Sequence, residues 1–181
     1  MTDANRQFPL ERWPALGWVF AALILTTSAF AANASIVEKL SGYVQGCETA
    51  LLSGDLAAFD GMAAETETIT ESVEIFGWRD GEVVVSLLVR IGAKRSGVCD
   101  IVYQPASISD DAVIALQMLQ KNLQAPLLQG KHKFETVASG QVLLSCSGER
   151  GMALFIDPAA TASGFAAQVA TVSPHRMECD G

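Results

Sequence analysis

Little in this chain announces chemistry. Its 181 residues include only two histidines and four cysteines, and aromatic residues make up 7%. It contains no C-x-x-C pair, no H-E-x-x-H, no G-x-S-x-G and no glycine-rich phosphate loop. Those absences remove the readable signatures of thioredoxin-like exchange, zinc hydrolysis, the nucleophile elbow and nucleotide binding. Positive charge is scarce as well: 12 Lys and Arg stand against 20 Asp and Glu, for a net charge of −8. A surface of that sign repels phosphate backbones, which sets nucleic acid aside as a partner. Half of the residues are hydrophobic, so the chain suits a folded domain rather than a disordered one.

Charge is missing altogether between Trp13 and Val37. Within that gap lies an apolar run, Leu16 to Leu25, of the length expected for a secretion-signal core. It fades into Thr26-Thr27-Ser28 and then Ala29-Phe30-Ala31, a small-x-small site suited to signal peptidase, with a second such site at Ala32-Asn33-Ala34. Arg6 and Arg12 supply a positive flank, diluted by Asp3 and Glu11. Residues 1–31 are therefore expected to form a signal peptide, and 32–181 a single exported domain, periplasmic or secreted. The alternative is an uncleaved anchor, since about 20 apolar residues span a bilayer. In that case the membrane is met only through the N-terminal segment. Cutting after Ala31 removes two charges of each sign, so the remaining domain stays equally acidic. Asn33-Ala34-Ser35 is formally a glycosylation sequon, but it abuts the cut.

Beyond the signal, the sequence alternates helix and strand patterns. Ser35 and Glu38 form a capping box, followed by Ile36, Leu40, Tyr43, Cys47, Ala50 and Leu51 at helical spacing. Gly42 and Gly46 weaken that helix unless they permit close packing. Asp55 opens a short second helix carrying Leu56, Phe59 and Met62. Glu82 to Ile91 and Val98 to Gln104 read as a hairpin, with Cys99, Ile101 and Tyr103 inward and Asp100 outward. Ser107 to Asp111 opens a helix whose stripe is Ala112, Leu116, Leu119 and Leu123, with Met118 counted as core, and Pro126 stops it. Three strands follow over 131–138, 141–147 and 152–157. Asp157-Pro158 then opens a last helix through Phe165, Val169 and Val172.

The expected fold is thus α+β: about five mostly antiparallel strands with packed helices, in the order ααββαβββα, held by two disulfides. In topology this order resembles profilin-like and roadblock-like sheets, which implies strands arranged 2-1-5-4-3. The cysteines are Cys47, Cys99, Cys146 and Cys179, an even count in an exported chain, which points to structural bridges. Three connectivities are open. The layout sets the strands of Cys99 and Cys146 apart, beyond the roughly 7 Å that a bridge tolerates. Cys47 with Cys99 and Cys146 with Cys179 is the favoured pairing.

The search for chemistry yields no catalytic, cofactor-binding or metal residue, and no cofactor is expected. His132 and His175 are general-base candidates with Ser145 or Ser147, but nothing in the spacing assembles them. Asp100 and Asp157 are a conceivable carboxylate pair of unknown separation. The acidic run Glu65, Glu67, Glu71 and Glu74 reads either as a cation site or, preferably, as a solvated connector. The expectation is an exported, non-catalytic module that binds a protein or small ligand, or assists envelope assembly. One alternative is an inhibitor or immunity protein against a secreted hydrolase. A second is an enzyme whose site is assembled from scattered residues.

Overall fold

In the computed structural model the described residues are 16–92, 95–124, 132–138, 140–147 and 150–172. The side chains of 16–34, His132 and Ser147 lie outside that set, as do Cys179, His175 and Pro126. The chain divides into two compact units, residues 1–32 and 33–181. Helix α1 (Leu16–Ser53) runs through both. The Ser35/Glu38 box therefore does not start a helix. Residues 29–34 include four alanines, the best helix former, so nothing there ends the turn that precedes it. Among the described side chains, no helix is long and apolar enough to cross a membrane. The apolar run of the sequence precedes them.

The second unit is built on one eight-stranded antiparallel sheet, which corrects the five-stranded expectation. Its strands are β1 (Ala63–Ile69), β2 (Val73–Asp80), β3 (Val83–Arg90) and β4 (Ser96–Tyr103), then β5 (His132–Val137), β6 (Gly140–Ser147), β7 (Arg150–Ile156) and β8 (Phe165–Val172). Helix α2 (Asp110–Gln124) separates the two groups of four. The spatial order is β1-β2-β3-β4-β8-β7-β6-β5, not 2-1-5-4-3. Each half is a helix followed by a four-stranded meander, and the two meanders join through their last strands, Asp100 lying opposite Gln168.

Two misread segments account for the extra strands. The acidic connector is β1 and the start of β2, a strand whose every residue is exposed. With neither face covered, its Glu and Thr follow solvation rather than alternation. The last helix is β8, where Phe165, Ala167 and Val169 are buried and the residues between them are not. Positions 165, 169 and 172 satisfy helical spacing, while 165, 167 and 169 satisfy strand spacing. Eight residues are too few for periodicity alone to decide. Asp157-Pro158 opens only a 3-10 turn (Ala160–Ala162), with the Asp157 carboxylate accepting from the Ala159 amide at 2.9 Å.

The hairpin and the helix after it lie where the pattern puts them. β3 and β4 pair along their length, Leu87 opposite Cys99 and Val85 opposite Ile101. Ser109 Oγ caps α2 by accepting from the Ala112 amide at 3.2 Å. Its stripe Ala112, Leu116, Leu119 and Leu123 is buried, but Met118 is 58% exposed and belongs to the outer face. Asp55 accepts from the Ala57 amide at 3.0 Å and opens a single 3-10 turn (Ala57–Phe59) instead of a helix.

Both helices pack on the same side of the sheet. Leu40, Tyr43, Cys47 and Leu51 of α1 and Leu116, Leu119 and Leu123 of α2 share one core with Val83, Val85, Leu87 and Val89 of β3 and with Met152, Leu154 and Ile156 of β7. Tyr43, Phe59, Trp78 and Phe76 form a run of stacked rings under α1, with neighbouring centroids 6.2, 4.5 and 5.4 Å apart. A smaller cluster around Leu144 and Ala153 occupies the opposite face.

Cys47 of α1 is bonded to Cys99 of β4, their Cα atoms 5.7 Å apart. Where two bridges were expected, this is the one that the described residues contain. The other expected link involves Cys179 and lies outside them, although no described cysteine is free. Two strands stand between β4 and β6, and Cys146 is on the face opposite the helices, packed against the cluster of Leu144 and Ala153.

Candidate ligand site

Where α1 and α2 pass over β6, β7 and β8, the helices leave a cavity of about 290 Å³. Its floor follows from register. Ser145 lies opposite Met152, and Leu154 lies opposite Val169, so these four side chains share the helix-facing side of three neighbouring strands. Val44 of α1 and Leu123 of α2 close the sides. The polar lining is Ser41, Gln45 and Glu48 from α1, Asn122 from α2, and Ser145. The surface is thus mainly apolar, with a few hydrogen-bonding groups that converge from three elements. That is the usual make-up of a small-molecule site.

The sequence places the α1 groups there by simple helical arithmetic. Ser41, Gln45 and Glu48 step by four and three, forming a polar stripe beside the buried stripe of Leu40, Tyr43, Val44 and Cys47. Residue 47 is bonded to the sheet, so the helix turn carrying Val44 and Glu48 is fixed relative to β4.

Among the described residues, Glu48 is the only charged side chain that lines the cavity. Partial burial pushes its carboxyl above the ordinary range, because desolvation disfavours the carboxylate. Among the described residues it has no ion-pair or hydrogen-bond partner. The charged pairs among the described residues lie elsewhere: Lys39 with Asp80 at 2.7 Å, Arg79 with Glu65, Arg95 with Glu74 at 2.8 Å and Lys133 with Glu135 at 3.0 Å. Ser145 is 6% exposed, one of two buried polar residues in the described set.

The residues singled out from sequence are only partly brought together. His132 stands directly opposite Ser145 in the pairing of β5 with β6, with its side chain outside the described residues. Ser147, at the end of β6, faces Arg150. His175 is outside the described residues. Asp100 and Asp157 line one shallow hollow of about 230 Å³ on the helix-free face, together with Gln168 and Phe155. There Gln168 donates to Asp100 at 2.7 Å. Among the described residues no group of three or more His, Cys, Asp or Glu is placed to hold a metal ion. Of the acidic run, Glu65 and Glu74 are each paired with an arginine.

Glu48, Gln45 and Ser41 were not candidates on sequence. Their spacing was visible, but a polar stripe next to an apolar one ordinarily marks a solvated helix face. Only the second helix, which begins at Asp110, turns it into a wall. No family model matches this chain, and no curated protein and no solved structure is similar enough to count as a match.

Proposed function

We propose that this chain is an exported, non-catalytic binding module that holds one small, largely apolar molecule between α1 and α2. The cavity carries that reading. Its volume of about 290 Å³ sits at the lower end of small-molecule pockets, roughly 300–1,000 Å³. Its floor is paired sheet, and one of its helical walls is bonded to that sheet through Cys47 and Cys99. Pre-formed walls of this kind reduce the ordering cost of binding. Export is supported by the bridge, which suits a compartment where thiols oxidise, and by the apolar run ahead of Ala31.

The test uses the purified full chain, with n-hexanol and benzyl alcohol as neutral probes in titration calorimetry. Saturable one-site binding is expected, at about millimolar Kd or tighter. Ser145→Leu, which fills the cavity from the floor, should abolish it while keeping thermal stability equal or higher. Absence of saturable binding, or its persistence in Ser145→Leu, overturns the binding reading. For export, N-terminal sequencing of the product should find a start within residues 32–35. A product that retains Met1 and fractionates with the cytosol overturns that part.

A further inference from the structure

Resting on the binding reading, we infer that the ligand is a small organic amine, bound as its ammonium ion, with the cationic head at Glu48 and the hydrocarbon body on Val44, Met152, Leu154 and Val169. Among the described lining residues the cavity offers one charge, and it is negative. That carboxylate stands among apolar side chains with no cation of the described protein beside it. The half-buried carboxylates Asp80, Glu74 and Glu135 each have a lysine or arginine partner, whereas no described residue pairs with Glu48. A buried charge is tolerated when it is paired and hydrogen-bonded. A ligand ammonium supplies both, because it has three donors.

The surrounding groups match that geometry. Gln45 lies nearly one turn before Glu48, and Ser41 precedes Gln45 by four residues on the same helix, so carbonyl and hydroxyl acceptors flank the carboxylate. Ser145 rises from the floor opposite. An anionic ligand would find no lysine or arginine among the described lining residues. A neutral one would leave the carboxylate unpaired in a filled, drier cavity. The net charge of −8 adds a long-range term, raising the local concentration of cations and lowering that of anions.

The experiment compares n-hexylamine, n-hexanol and n-hexanoate, which share a chain length, on the full-length protein and its Glu48→Gln variant. Titrations run at about pH 8, where a simple alkylamine is an ammonium ion. Hexylamine should bind at least about ten-fold more tightly than hexanol, and Glu48→Gln should reduce that ratio to about two-fold or less, with hexanol affinity retained. Equal binding of amine and alcohol would overturn the amine assignment while leaving the cavity a binding site. Tighter binding of hexanoate would do the same. A preference for amine that survives Glu48→Gln would move the ammonium to the acidic surface and overturn it too. Failure of all three probes removes the site itself, and the binding reading with it.

Discussion

At the scale of single residues, titration follows surroundings more closely than sequence neighbours. Tyr43 is pushed up to about 12 by burial first, then by donating to Asp80, 2.9 Å away, and by that carboxylate's charge. Asp80 is held below the ordinary carboxylate range by hydrogen bonds from Lys39 and Tyr43. Glu48 moves the other way, and its sign sets a pH dependence. A carboxyl whose folded value is raised binds its proton more tightly in the native chain. Its contribution is complete below the unfolded value and is lost as pH climbs through the raised folded one. Glu48→Gln keeps the shape of the protonated acid without the charge. The variant and the parent should therefore melt together under acid conditions, with the variant melting higher at neutral pH. Thermal denaturation followed by circular dichroism across that range checks it, and a variant that melts lower at pH 7 would contradict the raised value.

At the scale of elements, the two glycines of α1 show how identical residues acquire opposite roles. A methyl group built on Gly42 meets nothing within 4 Å, whereas on Gly46 it falls 2.4 Å from the Ala58 side chain and 3.3 Å from the Phe59 ring. Gly42→Ala should stabilise the protein by about 0.5–1 kcal/mol, the helix-propensity difference. Gly46→Ala should destabilise it by about 1–3 kcal/mol, because the Ala57–Phe59 turn must move outward. Urea unfolding of both variants measures the two signs, and a shared sign would show that the packing at Gly46 is not limiting. The C-terminus of α1 is resolved by a distant residue. Its last turn has no basic side chain of its own. Arg150, at the start of β7, donates to the Leu52 carbonyl at 2.8 Å and approaches that of Leu51 at 3.4 Å. Orphaned carbonyls and the negative end of the helix dipole are satisfied together. Nothing in residues 35–53 announces that partner.

At the scale of the whole molecule, the fold closes through contacts between its halves. The β4–β8 seam joins two meanders that are 62 residues apart at their nearest seam positions, Tyr103 and Phe165. The Cys47–Cys99 bridge fastens the first helix to that seam across a sequence separation of 52. In the chain-entropy account a loop of that length is worth about 4 kcal/mol. The Cys47→Ala/Cys99→Ala double variant should lose most of that in urea unfolding. A loss below about 1 kcal/mol would show that packing of α1, not the bond, carries the attachment. At the free margin, β1 places Glu65 and Glu67 on an edge strand with every residue exposed. Like charges there disfavour edge-to-edge pairing of two copies. That explains an acidic run better than a connector does.

The hairpin of β3 and β4, the stripe of α2 and the burial of Cys47 and Cys99 were legible in the sequence, because each depends on side-chain periodicity within one element. The same rule fails where its premise fails. β1 has no buried face to impose alternation, and β8 is short enough for its apolar residues to suit either period. Strand order, the cap that Arg150 gives to α1 and the cavity at Glu48 belong to the tertiary structure alone. Each is a meeting of segments far apart in the chain. Local spacing determines which face a residue takes, and only packing determines what that face meets.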